Sequence, residues 1–239
     1  MERTQILVKG CGYFGIELTE KQIQQFQDYY EILVEWNEFM NLTAITDFDE
    51  VMLKHFVDSL ALGKAIEVEK QKRLIDIGTG AGFPGIPLKI VYPHLEVVLL
   101  DSLNKRVKFL NAVIEKLGLA GITAVHGRAE DFARQVAYRE SFDVSVSRAV
   151  ANLASLSEYC LPYTKVGGYF IPYKSGNIEE ELKAGEKAVQ ILGGKTENVV
   201  KFSLPGGEIE RSLLVIKKVK ETGKKYPRKA GLPAKEPLK

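Results

Sequence analysis

The chain has 239 residues, of which 45% are hydrophobic and 27% are charged, and its net charge is +2. This balance is typical of a folded globular protein and excludes a disordered chain, a collagen-like fibre and a membrane bundle. The N-terminus has no continuous apolar stretch of signal-peptide length, and Cys11 and Cys160 form neither a CxxC pair nor a disulfide framework. A cytoplasmic protein without a membrane partner is therefore expected.

Residues 1–72 are predicted to form a helical extension. Thr19 and Gln22 have the spacing of a capping box, and apolar residues recur every three or four positions after them. A second, short helix is expected from about residue 50 to Gly63, where a glycine stops it. The polar stretch 67–73 joins this extension to the next unit.

Residues 73–220 alternate between short apolar strands and amphipathic helices, a pattern typical of a parallel sheet covered on both faces. Ser102, Asn152 and Asn177 are expected to cap three of the helices. The last two strands are separated by residues 205–208, a link too short for a parallel crossover, so they should form an antiparallel hairpin. The strands are expected at about 74–77, 95–100, 123–126, 142–147, 168–173, 198–204 and 212–219.

A glycine-rich sequence, Asp76-Ile-Gly-Thr-Gly-Ala-Gly-Phe-Pro-Gly85, follows the first predicted strand directly. Glycines let the chain turn tightly and approach a ligand closely. One interpretation is the dinucleotide fingerprint, Gly80-x-Gly-x-x-Gly85, with Asp101 about twenty residues further on. The other is motif I of class I methyltransferases, which bind S-adenosylmethionine, on the pattern Asp76-x-Gly-x-Gly-x-Gly82.

Three features favour the methyl donor over a nicotinamide cofactor. A dinucleotide loop has its first glycine straight after the strand, whereas four residues from Asp76 to Thr79 precede Gly80 here. A carboxylate ahead of the glycines suits an ammonium and a sulfonium better than a pyrophosphate, since like charges repel. The terminal hairpin also fits the seven-stranded, mostly parallel sheet of a Rossmann-like methyltransferase. A glycine-rich turn without a ligand is the least favoured interpretation.

Residues after the other strands should complete this site, because ligands of open α/β sheets lie at the carboxyl ends of the strands. Asp101, after the second strand, can accept hydrogen bonds from ribose hydroxyls. Ala129 and Glu130, after the third, could bind adenine through their backbone, or could simply begin a helix. Arg148, after the fourth, would face the reacting methyl group or form a buried ion pair.

The segment from Leu74 to Arg148 resembles the ribosomal small subunit methyltransferase G family, also called glucose-inhibited division protein B. The similarity extends over nearly the whole chain. Further segments that match the family are Trp36-Asn37, Asn41-Leu-Thr-Ala-Ile45, His55-x-x-Asp58-Ser-Leu60, Asp101-Ser-x-x-Lys105-Arg106 and Pro227-Arg-Lys-Ala-Gly-x-Pro233.

The resemblance implies S-adenosylmethionine-dependent methylation of guanine N7 in the helix 18 loop of 16S ribosomal RNA, with the small ribosomal subunit as partner. The cofactor contacts that it implies are Gly78, Phe83, Ala129, Glu130 and Arg148. The position of the motif after the strands adds Asp76, Gly80 and Asp101. The alternatives are a small-molecule or protein methyltransferase and a non-enzymatic nucleotide- or RNA-binding module.

Guanine N7 carries an in-plane lone pair and no proton, so its methylation needs no general base. We therefore expect no catalytic side chain in the strict sense, with Arg148 positioning the substrate or cofactor. Alignment and proximity alone can supply ~7–11 kcal/mol of the barrier. A rate independent of pH around neutrality is expected.

The C-terminal end of the chain is basic. Residues 217–239 contain nine basic and two acidic residues, a net +7, which leaves −5 for the rest of a chain whose total is +2. A basic segment on an acidic body suits a polyanion such as RNA, although it could be a solvated tail. Residues 221–239 are expected to fold near the cofactor and meet phosphates. The expected RNA-binding residues are Arg228, Lys229, Lys105, Arg106 and His55.

His55 and Asp58 have a helical spacing compatible with one edge of a metal site. Two side chains make a weak site and no third ligand is evident, so helix packing or an RNA contact is favoured and no metal is expected. The protein is expected to be a monomer.

Overall fold

The computed structural model describes residues 4–148 and 150–239. A sheet of seven strands crosses the molecule, and its strands are β1 (Arg73–Ile77), β2 (Glu96–Asp101), β3 (Ile122–His126), β4 (Phe142–Arg148), β5 (Thr164–Ser175), β6 (Gly194–Ser203) and β7 (Glu210–Lys218). Their order is β3-β2-β1-β4-β5-β7-β6. Strands β1 to β5 are parallel, and β7 is antiparallel to both β5 and β6. The mostly parallel sheet and its terminal hairpin are confirmed.

The strand order reverses between β1 and β4, which lie side by side although two strand-helix units separate them. At such a switch point the connections leave the two strands in opposite directions and open a crevice at their carboxyl ends. Ile77 and Arg148 are the last residues of these two strands. The fold therefore places the glycine-rich loop and Arg148 at the same edge of the sheet.

Helices cover both faces of the sheet. They are α1 (Gln5–Tyr13), α2 (Glu20–Met40), α3 (Phe48–Val51), α4 (Gly85–Val91), α5 (Asn104–Lys116), α6 (Ala129–Phe132), α7 (Leu153–Cys160), α8 (Glu179–Ile191) and α9 (Leu232–Lys235). Alternate residues of β1 face opposite sides, so that Leu74 packs with the helices before residue 73 and with α4 and α5, whereas Ile75 packs with α7 and α8. The N-terminal helices thus share the core of the sheet.

The start of α2 confirms the predicted capping box. The hydroxyl oxygen of Thr19 accepts the backbone N–H of Gln22 at 3.3 Å, and the Gln22 side chain accepts the backbone N–H of Thr19 at 2.9 Å. The Gln22 amide also donates to the Ile90 carbonyl at 2.9 Å, which ties α2 to α4. Phe26 and Leu33 on the inner face of α2 are fully buried.

The prediction of a single helix from about residue 50 is wrong, because the structure divides this segment into three short helical elements. Asp47 caps α3 by accepting the backbone N–H of Glu50 at 3.0 Å, so the helix begins earlier. A π-helical turn follows over Met52–Val57 and a 3₁₀ turn over Leu60–Lys64. A π turn holds more residues than an α turn and is common next to functional sites.

One of the three predicted helix caps is absent, and another lies one residue before the N-cap position. Asn152 caps α7 as expected, accepting the N–H of Ser155 at 3.0 Å. Ser102 does not cap α5, because the helix begins later with Leu103 at the N-cap position, and the Asp101 carboxylate accepts the backbone N–H of Leu103 at 2.9 Å. Asn177 precedes the N-cap residue Ile178, and its Oδ1 accepts the backbone N–H of Glu179, the first residue of α8, at 3.4 Å. Among the residues that the structure describes, no helix is long and apolar enough to span a membrane.

Candidate functional site

The loop between β1 and α4 lies at the switch point and is held in an open turn. Gly78 has φ +69°, and a Cβ there would lie 2.7 Å from Cγ2 of Val150. Its N–H donates to the Leu100 carbonyl of β2 at 2.8 Å, and the N–H of Gly80 donates to Oδ2 of Asp101 at 3.0 Å. Only glycine fits at Gly78, since the conformation is left-handed and the space for a side chain is already filled.

Asp76 lies beneath this loop and is fully buried. Its Oδ2 accepts the Thr79 hydroxyl at 2.7 Å and the Gly85 N–H at 2.9 Å. Burial raises the pKa of Asp76 to about 6, against the lowering effect of these two hydrogen bonds. Its Oδ1 has no hydrogen-bond partner among the described residues. Asp76 therefore shapes the loop and keeps one buried acceptor unsatisfied.

A second support of the loop comes from α2. The phenol of Tyr29, fully buried, donates to the carbonyl oxygen of Ala81. The rings of Tyr29 and Phe83 are 5.4 Å apart. The sequence pattern of α2 gives no sign of this contact, which depends on how α2 is placed against the sheet.

A cavity of about 370 Å³ opens beside the ends of β2 and β3, and we call it the β2–β3 cavity. Ala129 and Glu130 line it, as expected from the sequence. The Oε1 atom of Glu130 accepts the backbone N–H of Gly231 at 2.8 Å, so the C-terminal segment also contributes to the wall. Asp101 is only 2% exposed, and both its oxygens already accept backbone N–H groups. A carboxylate has further lone pairs, so Asp101 can still accept a ligand hydroxyl.

A larger cavity of about 670 Å³ lies at the ends of β4 and β5, and we call it the β4–β5 cavity. Gly78 lines both cavities, so the glycine loop separates them. The basic side chains that line the larger cavity are Lys54, Arg106, Arg148, Lys174 and Arg211, whereas its acidic ones are Asp58 and Glu181. Each basic group has a carboxylate partner, because Glu50 pairs with Lys54, Asp101 with Arg106, Asp58 with both Arg148 and Arg211, and Glu181 with Lys174. The five positive and four negative charges leave a net +1 at the cavity. This small excess of positive charge favours an anionic ligand.

An ion-pair cluster fixes Arg148 within the β4–β5 cavity. Asp58, whose side chain is 4% exposed, accepts Nη1 of Arg148 at 3.0 Å and Nε of Arg211 at 3.1 Å. The Arg148 guanidinium also lies over the ring of Phe83, 5.1 Å from its centre. Arg148 is therefore held on two sides, by a carboxylate and by an aromatic face.

His55 adds an aromatic stack to the same cavity. Its ring lies parallel to that of Phe83, with the centres 4.7 Å apart, and its Nε2 is 2.8 Å from the Thr43 hydroxyl. Burial, together with the positive charge of Arg148, lowers the pKa of His55 to about 4. His55 is therefore neutral near pH 7. It offers an uncharged ring surface rather than a positive charge for a phosphate.

Sequence reasoning missed several residues that line the β4–β5 cavity. Lys174 lies at the carboxyl end of β5, so the strand-end rule could have found it. Arg211 gave no such signal, because it lies near the start of β7, which runs antiparallel and begins where the parallel strands end. Glu181 approaches through an ion pair with Lys174 at 2.6 Å. Among the described residues, no three His, Cys, Asp or Glu side chains cluster in a way that could hold a metal ion.

The expected RNA contacts lie in different surroundings. Arg106 lines the β4–β5 cavity, whereas Lys105 is outside its lining and donates from Nζ to the Met40 carbonyl at 3.3 Å. Arg228 and Lys229 lie outside the linings of the two cavities. The guanidinium of Arg228 forms a paired contact with the buried Glu158, which neutralises the charge that a phosphate would need. Lys229 is exposed.

The family model described as rRNA small subunit methyltransferase G matches residues 22–214. A protein of Lachnoclostridium phytofermentans named ribosomal RNA small subunit methyltransferase G is 57% identical over 238 residues, which cover 100% of this chain and 98% of the relative. The chain belongs to this family. A protein of the same name from Acetivibrio thermocellus is 54% identical and covers 98% of this chain and 96% of its own length.

A solved structure, that of a SAM-dependent methyltransferase from Aquifex aeolicus, matches with a TM-score of 0.54. The match covers 74% of this chain and 96% of that one at 16% identity, so it shows the shared fold alone. Membership of the methyltransferase G family makes this chain an S-adenosylmethionine-dependent methyltransferase.

Two structural observations indicate that the site fits S-adenosylmethionine. The glycine loop leaves open space for a ligand at Gly80, where a Cβ would have only the Gly78 carbonyl oxygen within 4 Å. The buried Oδ1 of Asp76 lacks a donor, and an unsatisfied buried acceptor is costly unless a ligand supplies one. An ammonium group is such a donor. A ligand at this loop could also reach both cavities, since Gly78 lines each of them.

Proposed function

We propose that this member of the methyltransferase G family methylates N7 of a guanosine in the helix 18 loop of 16S ribosomal RNA. The observation that carries the proposal is the β4–β5 cavity, which lies next to the glycine loop and has five basic and two acidic side chains in its lining. A single unpaired base can enter a cavity of this size while the basic groups meet its phosphates. We further propose that the protein acts in the cytoplasm as a monomer, without a metal, on the small ribosomal subunit.

The cofactor is assigned to the loop and to the two cavities on either side of it. We assign its methionine part to Gly78, Gly80 and Phe83, and its adenine to the backbone of Ala129 and the side chain of Glu130. Asp76 and Asp101 support this arrangement, Asp76 through its unsatisfied oxygen and Asp101 as an acceptor for ribose hydroxyls. When bound, the cofactor supplies a methyl group activated by the positive sulfur to which it is attached.

The residues around the β4–β5 cavity position the base, and the reaction needs no proton transfer to or from them. Arg148 is too basic to accept a proton, and its contacts with Asp58 and Phe83 hold its guanidinium in one orientation. It is therefore suited to donating hydrogen bonds to the guanine O6 atom or to the cofactor. The neutral ring of His55 extends the apolar wall of the cavity. Guanine N7 needs no deprotonation, which agrees with the low basicity of His55.

The test is a methylation assay with methyl-labelled S-adenosylmethionine and 16S RNA or small subunits that lack the modification. Digestion of the product should yield labelled 7-methylguanosine from one position of the helix 18 loop. The matched control is a 16S transcript in which 7-deazaguanosine replaces guanosine, because it keeps the Watson–Crick edge and lacks only the N7 lone pair. Label that persists in the deaza transcript, or appears in another nucleoside, would overturn the assignment.

A further inference from the structure

The chain after β7 folds back over α6 and α7, and we call residues 221–239 the C-terminal strap. The Arg139 guanidinium donates to the Tyr226 carbonyl at 2.9 Å. The Ser155 hydroxyl of α7 donates to the Pro233 carbonyl at 2.8 Å. The backbone N–H of Thr222 donates to the Glu140 carboxylate at 2.7 Å. These bonds attach the strap along its length, unlike a solvated tail.

The strongest attachment of the strap is Arg228. Its guanidinium donates from Nε at 3.0 Å and from Nη2 at 2.7 Å to the two oxygens of Glu158 in α7, and its backbone N–H donates to the same carboxylate at 2.7 Å. Glu158 is fully buried. A buried carboxylate requires such partners, so this ion pair holds the strap against α7.

Beyond Arg228 the strap reaches the β2–β3 cavity. The N–H of Gly231 donates to Oε1 of Glu130 at 2.8 Å, and Glu130 is only 6% exposed. Gly231, Glu130 and Tyr159 of α7 line the same cavity. A glutamate side chain that lines a binding cavity must lose rotational freedom to hold a ligand, and the hydrogen bond from Gly231 has already fixed it.

We propose that the C-terminal strap is a part of the cofactor site, in which Gly231 positions the Glu130 carboxylate. The binding of S-adenosylmethionine and the docking of the strap then stabilise each other, because a coupling between two events acts equally in both directions. The positive charge of the strap lies away from these contacts, on the exposed side chains of Lys224, Lys225, Lys229 and Lys235. Arg228 and Gly231 thus act on the cofactor, whatever the exposed lysines contact.

The first test compares two glycines that differ only in their neighbours. Gly231 and Gly207 both have φ +82°, and a Cβ at either position would meet nothing within 4 Å. Gly231→Ala and Gly207→Ala therefore suffer the same backbone strain, but only Gly231 contacts Glu130. Alanine keeps the backbone N–H, so Gly231→Ala acts by straining the left-handed turn that directs this N–H to Glu130. Isothermal titration with S-adenosylhomocysteine should show a Kd about three- to tenfold higher for Gly231→Ala. Gly207→Ala should bind as the wild type does.

The reciprocal test measures hydrogen exchange in the wild-type protein. Saturating S-adenosylhomocysteine should slow exchange in the peptide 226–233 and leave the β6–β7 turn at 204–209 unchanged. Equal Kd values for the two glycine variants, or exchange in the strap that does not respond to the cofactor product, would overturn the proposal. No RNA is present in either experiment, so the result is independent of which base the enzyme methylates.

Discussion

The burial of His55 predicts an acid-dependent loss of stability that one substitution should remove. The pKa of His55 is lowered to about 4, from an ordinary value of 6.5, by burial and by the charge of Arg148. In the unfolded chain the ring takes up a proton near pH 6.5, while in the folded protein it stays neutral until about pH 4. The unfolded state therefore binds more protons between these two values, and the free energy of unfolding falls as the pH falls.

The size of the effect follows from the two pKa values. Between pH 7 and pH 5 the uptake of a proton by His55 in the unfolded chain lowers the free energy of unfolding by about 2 kcal/mol. Asp76 has the opposite sign, because its pKa is raised from 3.8 to about 6, so its contribution falls as the pH rises through that range. A comparison of the wild type with His55→Gln isolates the histidine, since Asp76 is present in both proteins.

Urea unfolding at pH 7 and at pH 5 measures this difference. The wild type should lose about 2 kcal/mol more than His55→Gln on acidification, whatever the variant costs at pH 7. The matched control is His94→Gln, since His94 is exposed, and it should behave as the wild type does. If His55→Gln and the wild type lose equal stability between the two pH values, the ring is hydrated in the folded protein, and the stack on Phe83 is wrong.

Three predictions concern the reaction and the ion pairs of the β4–β5 cavity. The rate of methyl transfer in single-turnover assays should stay constant between about pH 7 and pH 8.5, and a dependence with a pKa near 7 would show that a base is required. Arg148→Lys keeps the charge but loses the planar guanidinium that contacts Asp58 and lies over Phe83. The kcat should therefore fall about tenfold or more while the protein stays folded. An unchanged kcat would show that Arg148 does not position the substrate. Asp58→Asn leaves two arginines without their carboxylate and should lower the free energy of unfolding by about 3 kcal/mol in urea titration. The double variant Asp58→Asn/Arg211→Gln should recover part of that loss, and strict additivity of the two changes would exclude the ion pair.

Much of the fold could be predicted because its signals are local. The capping box at Thr19 and the alternation of apolar strands with amphipathic helices each depend on residues close together in the chain. The segment around His55 was harder, because its π turn is stabilised by packing against the loop at Phe83 and not by its own spacing. The prediction that Ser102 caps α5 failed because the helix begins later, with Leu103 at the N-cap position.

The site was predicted where it follows the carboxyl ends of parallel strands and missed where it does not. Gly78, Glu130 and Arg148 line the two cavities as the strand-end rule requires. Arg211 belongs to an antiparallel strand, so its place beside Asp58 depends on the order in which β6 and β7 enter the sheet. The role of Arg228 could not be read from charge, because its partner Glu158 is 70 positions away in the sequence.

Two long-range contacts complete the cavities beside the glycine loop, and they determine when these cavities can form in a newly made chain. Asp58 and Arg211 are 153 positions apart, and Glu130 and Gly231 are 101 positions apart. Closing a contact over such a sequence separation costs conformational entropy, and neither contact can form before its C-terminal member has been synthesised. A nascent chain that has not yet released its last strand and strap from the ribosome lacks one side of each cavity. Both cavities are therefore complete only after synthesis of the chain is essentially finished.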